Sequence, residues 1–290
     1  MLFRSVATPS ALHGPDTKKA LKKGKHVLVE KPMAMTPSEA KGMIELAKQV
    51  DRKLFVHQNY RFFRNFTYLQ DVVNSGILGK IYHLRCYINA FGRRNDWQCL
   101  VKNGGGVLNN TCPHFIDQIC QLLGAPVVQV MGDLQQIASA GDVEDHTKAF
   151  MRAANGVTAD MEITNAQKVA LPLPRWIIAG STGTLTVTGE NQATIHYFDP
   201  AQAPKLEVID GAAAGRKYGN DDKLPWQVKE EKAEGTDVGN YYDDIFNVLR
   251  NGKTQRVTPE SVLHVMEVIA MIRKGTNFPG KVVKPKLQPA

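Results

Sequence analysis

Short apolar runs and helix-spaced apolar positions alternate through the opening of this chain as far as Arg61, and beyond it the spacing becomes that of successive strands. Met1 to Ala7 predicts a strand, broken at Thr8-Pro9-Ser10. A helix is predicted from Asp16 or Thr17 to Gly24. His26 to Val29, an apolar run between a glycine-bearing turn and a charged pair, predicts a buried parallel strand. Thr36-Pro37-Ser38-Glu39 has the capping-box pattern with proline at the first helical position. Ala40, Met43, Ile44 and Ala47 continue it at helical spacing, and Lys53 to His57 returns as a strand. The opening is thus a β-α-β unit of a parallel sheet already under way at residue 1.

After Arg61, Phe66, Leu69 and Val73 share one face of a helix that Gly76 closes, and Lys80 to Phe91 reads as a long strand. A helix follows from Pro113 to Leu123. Strands are then expected at Val127 to Leu134, Thr147 to Ala153, Val157 to Thr164, Arg175 to Ala179, Thr184 to Val187 and Thr194 to Phe198. Asn155-Gly156 is the strongest short hairpin signal. Residues 211–236 are polar and read as a long loop, and helices at Val238 to Arg250 and Pro259 to Lys274 finish the chain, the last capped by Thr258 and stopped by Gly275. The expected class is α/β: a partial doubly wound parallel sheet over residues 1–60, then over 61–290 an α+β domain with a large, mostly antiparallel open sheet.

Composition narrows the function classes. The chain has 290 residues, 43% hydrophobic and 22% charged, enough for two domains. No apolar run approaches the ~20 residues of a membrane span, and the first residues lack a signal-peptide pattern, so a cytoplasmic protein is expected. The formal charge of +8 is spread along the chain, its one dense group being Lys18, Lys19, Lys22, Lys23 and Lys25. No interleaved aromatics accompany it, which argues against nucleic acid and for a mild preference for small anions. Cys86, Cys99, Cys112 and Cys120 form no C-x-x-C pair, so free thiols and no metal site are expected.

Two stretches carry candidate chemistry. Glu30 and Lys31 sit at the carboxyl end of a predicted parallel strand, where open α/β sheets bind ligands. Pro32 holds Lys31 extended and makes a cis bond accessible. A desolvated lysine there can act as acid or base; the plain alternative is a surface ion pair in a turn. The second stretch runs from Gly104-Gly105-Gly106 through Asn110 and Pro113 to His114 and Asp117. On a continuous helix Asn110, His114 and Asp117 share a face. Pro113 argues instead for a helix starting there, with Asn110 in the loop and His114 at the N-terminus, where the dipole favours the neutral imidazole a base needs. A buried, hydrogen-bonded structural histidine is the alternative.

Together these stretches resemble the Gfo/Idh/MocA family, the glucose-fructose oxidoreductase and inositol dehydrogenase relatives. The matching motifs are A-T-P-S-x-x-H at Ala7 to His13, G-K-H-V-L-V-E-K-P at Gly24 to Pro32, Glu39-Ala40, Arg61-Phe62, G-x-L-G-K-I at Gly76 to Ile81, and G-G-G-x-L at Gly104 to Leu108 with His114 and Asp117 following. The resemblance implies a Rossmann domain and a hydride transfer between NAD or NADP and a CH-OH carbon of a sugar, cyclitol or derivative. It implies that Lys31 contacts the substrate hydroxyl and the nicotinamide ribose, and that His114 is the catalytic histidine. The family's usual aspartate falls on Asn110, which carries no charge, so proton transfer is expected to rest on Lys31 and His114. Thr8, Pro9, Ser10, His13 and Glu30 are expected to border the cofactor. Tyr60, Arg61, Asp96 and Trp97 are expected in the substrate cleft, with core packing as the alternative for Tyr60 and Trp97. The partner is a small sugar or cyclitol, with no nucleic acid or membrane, and a homodimer or homotetramer is expected through the second domain's sheet.

One departure stands out. A doubly wound dinucleotide domain opens with a strand, a G-x-G-x-x-G turn and a helix, and this pattern is missing from the sequence. The expectation is a chain lacking roughly its first 60 residues, the size of two βα units. The residue that separates NAD from NADP would belong to that part. The rival is a short, non-catalytic sugar-binding or scaffold protein.

Overall fold

A computed structural model describes residues 3–171, 173–208, 210–211, 223–276 and 278. Strands β1 (Phe3–Val6), β2 (His26–Val29) and β3 (Leu54–Val56) form a parallel sheet in that order, joined by helices α1 (His13–Lys22) and α2 (Pro37–Gln49). Val27, Leu28 and Val29 are all buried, as an uninterrupted apolar run in a two-sided sheet requires. Thr36 Oγ1 accepts from Glu39 N at 3.1 Å, and the Glu39 carboxylate reaches back to Met35 N, also at 3.1 Å. Helix α1 starts earlier than Asp16, because a 3-10 turn at Ser10–Leu12 runs straight into it and leaves Asp16 inside the first turn. Met1 and Leu2 of the expected strand lie outside the described residues.

The rest of the chain builds a larger layer. Helix α3 (Arg64–Ser75) ends at Gly76, which takes the left-handed conformation with φ 76°. Then come β4 (Ile81–Asn89), the four-residue α4 (Val107–Asn110), α5 (Cys112–Leu123), and strands β5 (Val127–Gln135), β6 (His146–Ala153), β7 (Thr158–Thr164), β8 (Trp176–Gly180), β9 (Gly183–Val187), β10 (Gln192–Tyr197) and β11 (Gln227–Lys232). These strands form one eight-stranded sheet in the order β11-β10-β9-β8-β4-β7-β6-β5. Its neighbours pair antiparallel except β4 with β7. Gly156 turns the β6–β7 hairpin at φ 88°. Part of the expected polar loop is therefore a strand, because 227–232 pairs with β10 through backbone groups despite being almost wholly polar. Residues 212–222 of that loop lie outside the described residues.

One face of the sheet is covered by helices and carries Leu84, Cys86, Met151, Met161, Ile163, Ile178, Leu185 and Ile195, all buried. The opposite face alternates charge with apolar side chains, as in the row Met131, Phe150, Asp160, Arg85, Ile177 across five strands.

Helices α6 (Tyr241–Asn251) and α7 (Pro259–Lys274) bring the chain back to the first sheet. Tyr241 donates its hydroxyl to Val56 O at 2.6 Å, and Gln255 Nε2 donates to Leu54 O at 3.0 Å. Helix α7 packs on α2 and β3 and also on α5 and β5. A single apolar core runs through both sheets.

Candidate active site

The carboxyl ends of the parallel strands gather the polar side chains that the first sheet does not bury. Thr8-Pro9-Ser10 follows β1, Glu30-Lys31 follows β2 and His57 follows β3. The Lys31–Pro32 peptide is cis. Lys31 Nζ donates to the backbone oxygen of Asn110 at 2.7 Å and to its side-chain Oδ1 at 3.1 Å. The amide of Asn110 donates in turn to Gln98 Oε1 at 2.9 Å, which fixes its Oδ1 toward the lysine. Gln98 is held by Asp96, whose carboxylate accepts from Gln98 N at 2.9 Å and pairs with Arg94.

Asn110 comes to this place on a helix, which corrects the expectation that it lies in a loop. Gly106 enters α4 at φ 96°, Val107 N donates to Glu144 O at 3.1 Å, and Leu108 N donates to the buried Glu144 carboxylate at 2.9 Å. These bonds satisfy two of the donors at the start of α4. A Cβ on Gly105 would collide with the Gln98 backbone, so the close approach needs glycine there. Thr111 keeps helical angles between α4 and α5, and Pro113 occupies an early position of α5 where its missing N–H is harmless. Asn110 and His114 therefore stand one turn apart on one face.

His114 is stacked on Tyr60, with ring centroids 3.9 Å apart and planes 13° from parallel. Burial first, and then the positive charge of Lys31, push the imidazole down to about 3, so it is neutral at ordinary pH. Its Nδ1 is buried and has no hydrogen-bond partner. Burial also lowers Lys31 from the ordinary lysine value, with Glu30 opposing and Arg94 assisting. Burial works to raise Glu30, but the hydrogen bond from His57 Nδ1 at 2.6 Å and the nearby positive charges hold it below its ordinary value.

The other expected site residues divide. Thr8 and Pro9 are exposed at the strand ends. Ser10 is buried and comes close to Gly104, in the loop leading to α4. His13 is buried, with Nδ1 2.6 Å from Pro32 O and Nε2 2.9 Å from Thr8 O, so it ties two strand-end turns together and does not face a cleft. Arg61 is buried and grips Asp117 with Nε at 2.7 Å from Oδ2 and a second bond from Nη2, so its guanidinium is engaged within the fold and is not open to a substrate. Tyr60 packs between His114 and Phe63. Trp97 is 43% exposed, and Asp96 acts on Gln98. Sequence reading missed His57 and Gln98. His57 follows β3 as Glu30 follows β2, a positional signal that was available; Gln98 had none.

The described residues fit one end of a nicotinamide cofactor. Lys31 offers a cation and Thr8 and Pro9 an exposed turn at the strand end, while the orphaned Nδ1 of His114 fits a reacting hydroxyl. Among the described residues no glycine-rich turn follows a strand to receive a pyrophosphate. No group of three or more metal-ligating side chains occurs among them either, and the four cysteines are free thiols.

Comparison with known proteins gives the family. Residues 4–58 match the model of the oxidoreductase family's NAD-binding Rossmann fold, and residues 66–186 match that of the GFO/IDH/MocA C-terminal domain. An uncharacterized oxidoreductase of Schizosaccharomyces pombe is 31% identical over 296 residues, covering 94% of this chain and 78% of that protein. The chain belongs to the GFO/IDH/MocA family. Within that family it is 28% identical to the myo-inositol 2-dehydrogenase of Thermotoga maritima over 181 residues, 60% of this chain and 53% of the relative. The crystal structure of an NAD-binding protein from Listeria innocua superposes with a TM-score of 0.78 at 25% identity, covering 95% of this chain and 79% of that one. The protein is accordingly a member of an NAD-binding oxidoreductase family. No helix among its described residues is long and apolar enough to cross a membrane.

Proposed function

We propose that this GFO/IDH/MocA protein oxidises a CH-OH group of a sugar, cyclitol or close derivative, with Lys31 and His114 handling the hydroxyl. The observation that carries this reading is the contact of Lys31 Nζ with both oxygens of Asn110, one helical turn before a buried histidine with an unpartnered nitrogen. The relative named as a myo-inositol 2-dehydrogenase supports the substrate class.

When bound, NAD or NADP would supply the hydride acceptor, and Thr8, Pro9, Glu30 and Lys31 would border it. The substrate hydroxyl must lose its proton as the carbon loses hydride, and two side chains compete for it. An imidazole held near 3 gains little by accepting a proton, whereas a lysine below its ordinary value sheds its own proton at lower pH than usual and is then free to accept one. Lys31 is therefore the base, and His114 Nδ1 orients the hydroxyl. Asn110 and Gln98 hold the amine in place without adding negative charge, which keeps Lys31 easier to deprotonate than a carboxylate neighbour would.

Nicotinamide absorbance, followed with NAD and with NADP against myo-inositol, hexoses and alkyl glucosides, tests this. Turnover of at least one polyol is expected, and Lys31→Met should lower kcat/KM by about 10²–10⁴-fold, the usual worth of a positioned acid-base group. Full activity of the Lys31→Met variant on the best substrate would remove the lysine from the mechanism.

A further inference from the structure

Beside the Lys31 and His114 pair lies a cavity of about 300 Å³ between α3, α5 and the covered face of the large sheet, a size that suits a small molecule. Lys31, Asn110 and His114 do not line it, but it adjoins them, since Thr111, next to Asn110, and Tyr60, stacked on His114, both stand in its wall. Phe63 and Trp176 add aromatic surface, and Asn65, Gln118 and Asn191 add amides. The Asn65 carbonyl oxygen is buried without a hydrogen-bond partner, although its amide donates to Asn191 Oδ1 at 3.3 Å. An orphaned acceptor in a wall of amides and aromatic rings is matched by the hydroxyls of a polyol.

The charge of this wall is one-sided. Arg175 lines it and no aspartate or glutamate does. The same arginine lines a second cavity of about 270 Å³, together with Lys168 and again no carboxylate. Its side chain is half-buried and makes no hydrogen bond or ion pair within the described residues. A guanidinium carries five donors in a fixed fork that matches carboxylate and phosphate oxygens.

We propose that this cavity holds the far end of the substrate and that Arg175 pairs with an anionic group there, so that the preferred substrate is a polyol bearing a carboxylate or a phosphate. The proposal rests on the dehydrogenase reading for the reacting end and adds the substrate's charge. Calorimetric titration of the chain with D-glucuronate, D-glucose 6-phosphate and D-glucose tests it, in the native sequence and in Arg175→Met and Arg175→Lys variants whose folding is checked by thermal melting. One of the two anions should bind roughly tenfold to a hundredfold more tightly than glucose, the worth of a charge-assisted hydrogen bond. Which anion wins separates carboxylate from phosphate. The ratio should fall to near one in Arg175→Met and stand between the two in Arg175→Lys, which keeps the charge and loses the fork. Equal affinities in the native chain, no binding of either anion, or a ratio that Arg175→Met leaves intact would overturn it. The titrations need no turnover. Arg175-dependent anion binding by a chain that never reduces nicotinamide would sink the dehydrogenase reading and leave the anion site standing, whereas turnover of neutral sugars without anion preference would do the reverse.

Discussion

His114 is held neutral by burial and by the charge of Lys31, and this makes the fold sensitive to acid. The unfolded histidine takes up a proton near 6.5 and the folded one only near 3. Across that interval the unfolded state binds more protons, so this group's contribution is fully present above 6.5 and is lost as pH falls toward 3. The slope from one such group is at most about 1.4 kcal/mol per pH unit. Urea unfolding between about pH 7 and about pH 5 should show stability falling with pH, and His114→Gln should flatten the curve; an unchanged slope would mean that His114 titrates normally in the fold. At this scale, sequence reading reached Lys31, Asn110 and His114 because strand ends and motif spacing point to them. It could not reach Gln98, whose contact with Asn110 depends on how the loop before Gly104 folds back. It also offered Arg61 and His13 to ligands, since nothing local distinguishes a buried polar tie from an exposed binding group.

At the scale of elements, a buried polar tie joins the turn after β3 to α5, where Arg61 and Asp117 form a bidentate pair. Such a pair adds little against a well-packed apolar substitute, but removal of one partner leaves the other charged and unpaired at a cost of about 3–5 kcal/mol. Denaturant unfolding of Asp117→Asn and Arg61→Met should each show a loss of that order, with the joint Arg61→Met/Asp117→Leu replacement recovering part of it. Losses below about 1 kcal/mol would place the pair in water instead. Helix and strand limits were legible wherever a cap or an apolar run marked them: β2 and α7 match their expected bounds, and Thr36 caps α2 as its sequence predicts. Two elements escaped for different reasons. β11 has almost no apolar residues to announce it and exists through backbone pairing to β10, with Tyr68 donating to Glu231 at 2.8 Å. α4 exists because Glu144, distant in sequence, supplies the acceptors for its first turn.

Over the whole molecule, the change from parallel to mostly antiparallel pairing was readable in the spacing of apolar positions, but the sequence division at residue 60 understates how the parts are joined. α6 and α7 follow the large sheet in sequence and pack partly on the small one. Calorimetry should therefore record one cooperative unfolding transition; two resolved transitions would mean that the parts melt apart. The same joining brings the helix that carries His114 over the strand end that carries Lys31, and the reaction proposed for this protein depends on that meeting. Nuclear magnetic resonance titration of the chain, with its lysine side-chain carbons and histidine nitrogens labelled, tests it most directly. The expected result is a Lys31 that deprotonates at lower pH than the surface lysines, a His114 that stays neutral down to about pH 4, and a Lys31 titration that moves upward in Asn110→Asp. A Lys31 that titrates with the surface lysines and ignores the new carboxylate, beside a His114 that protonates near 6.5, would contradict it.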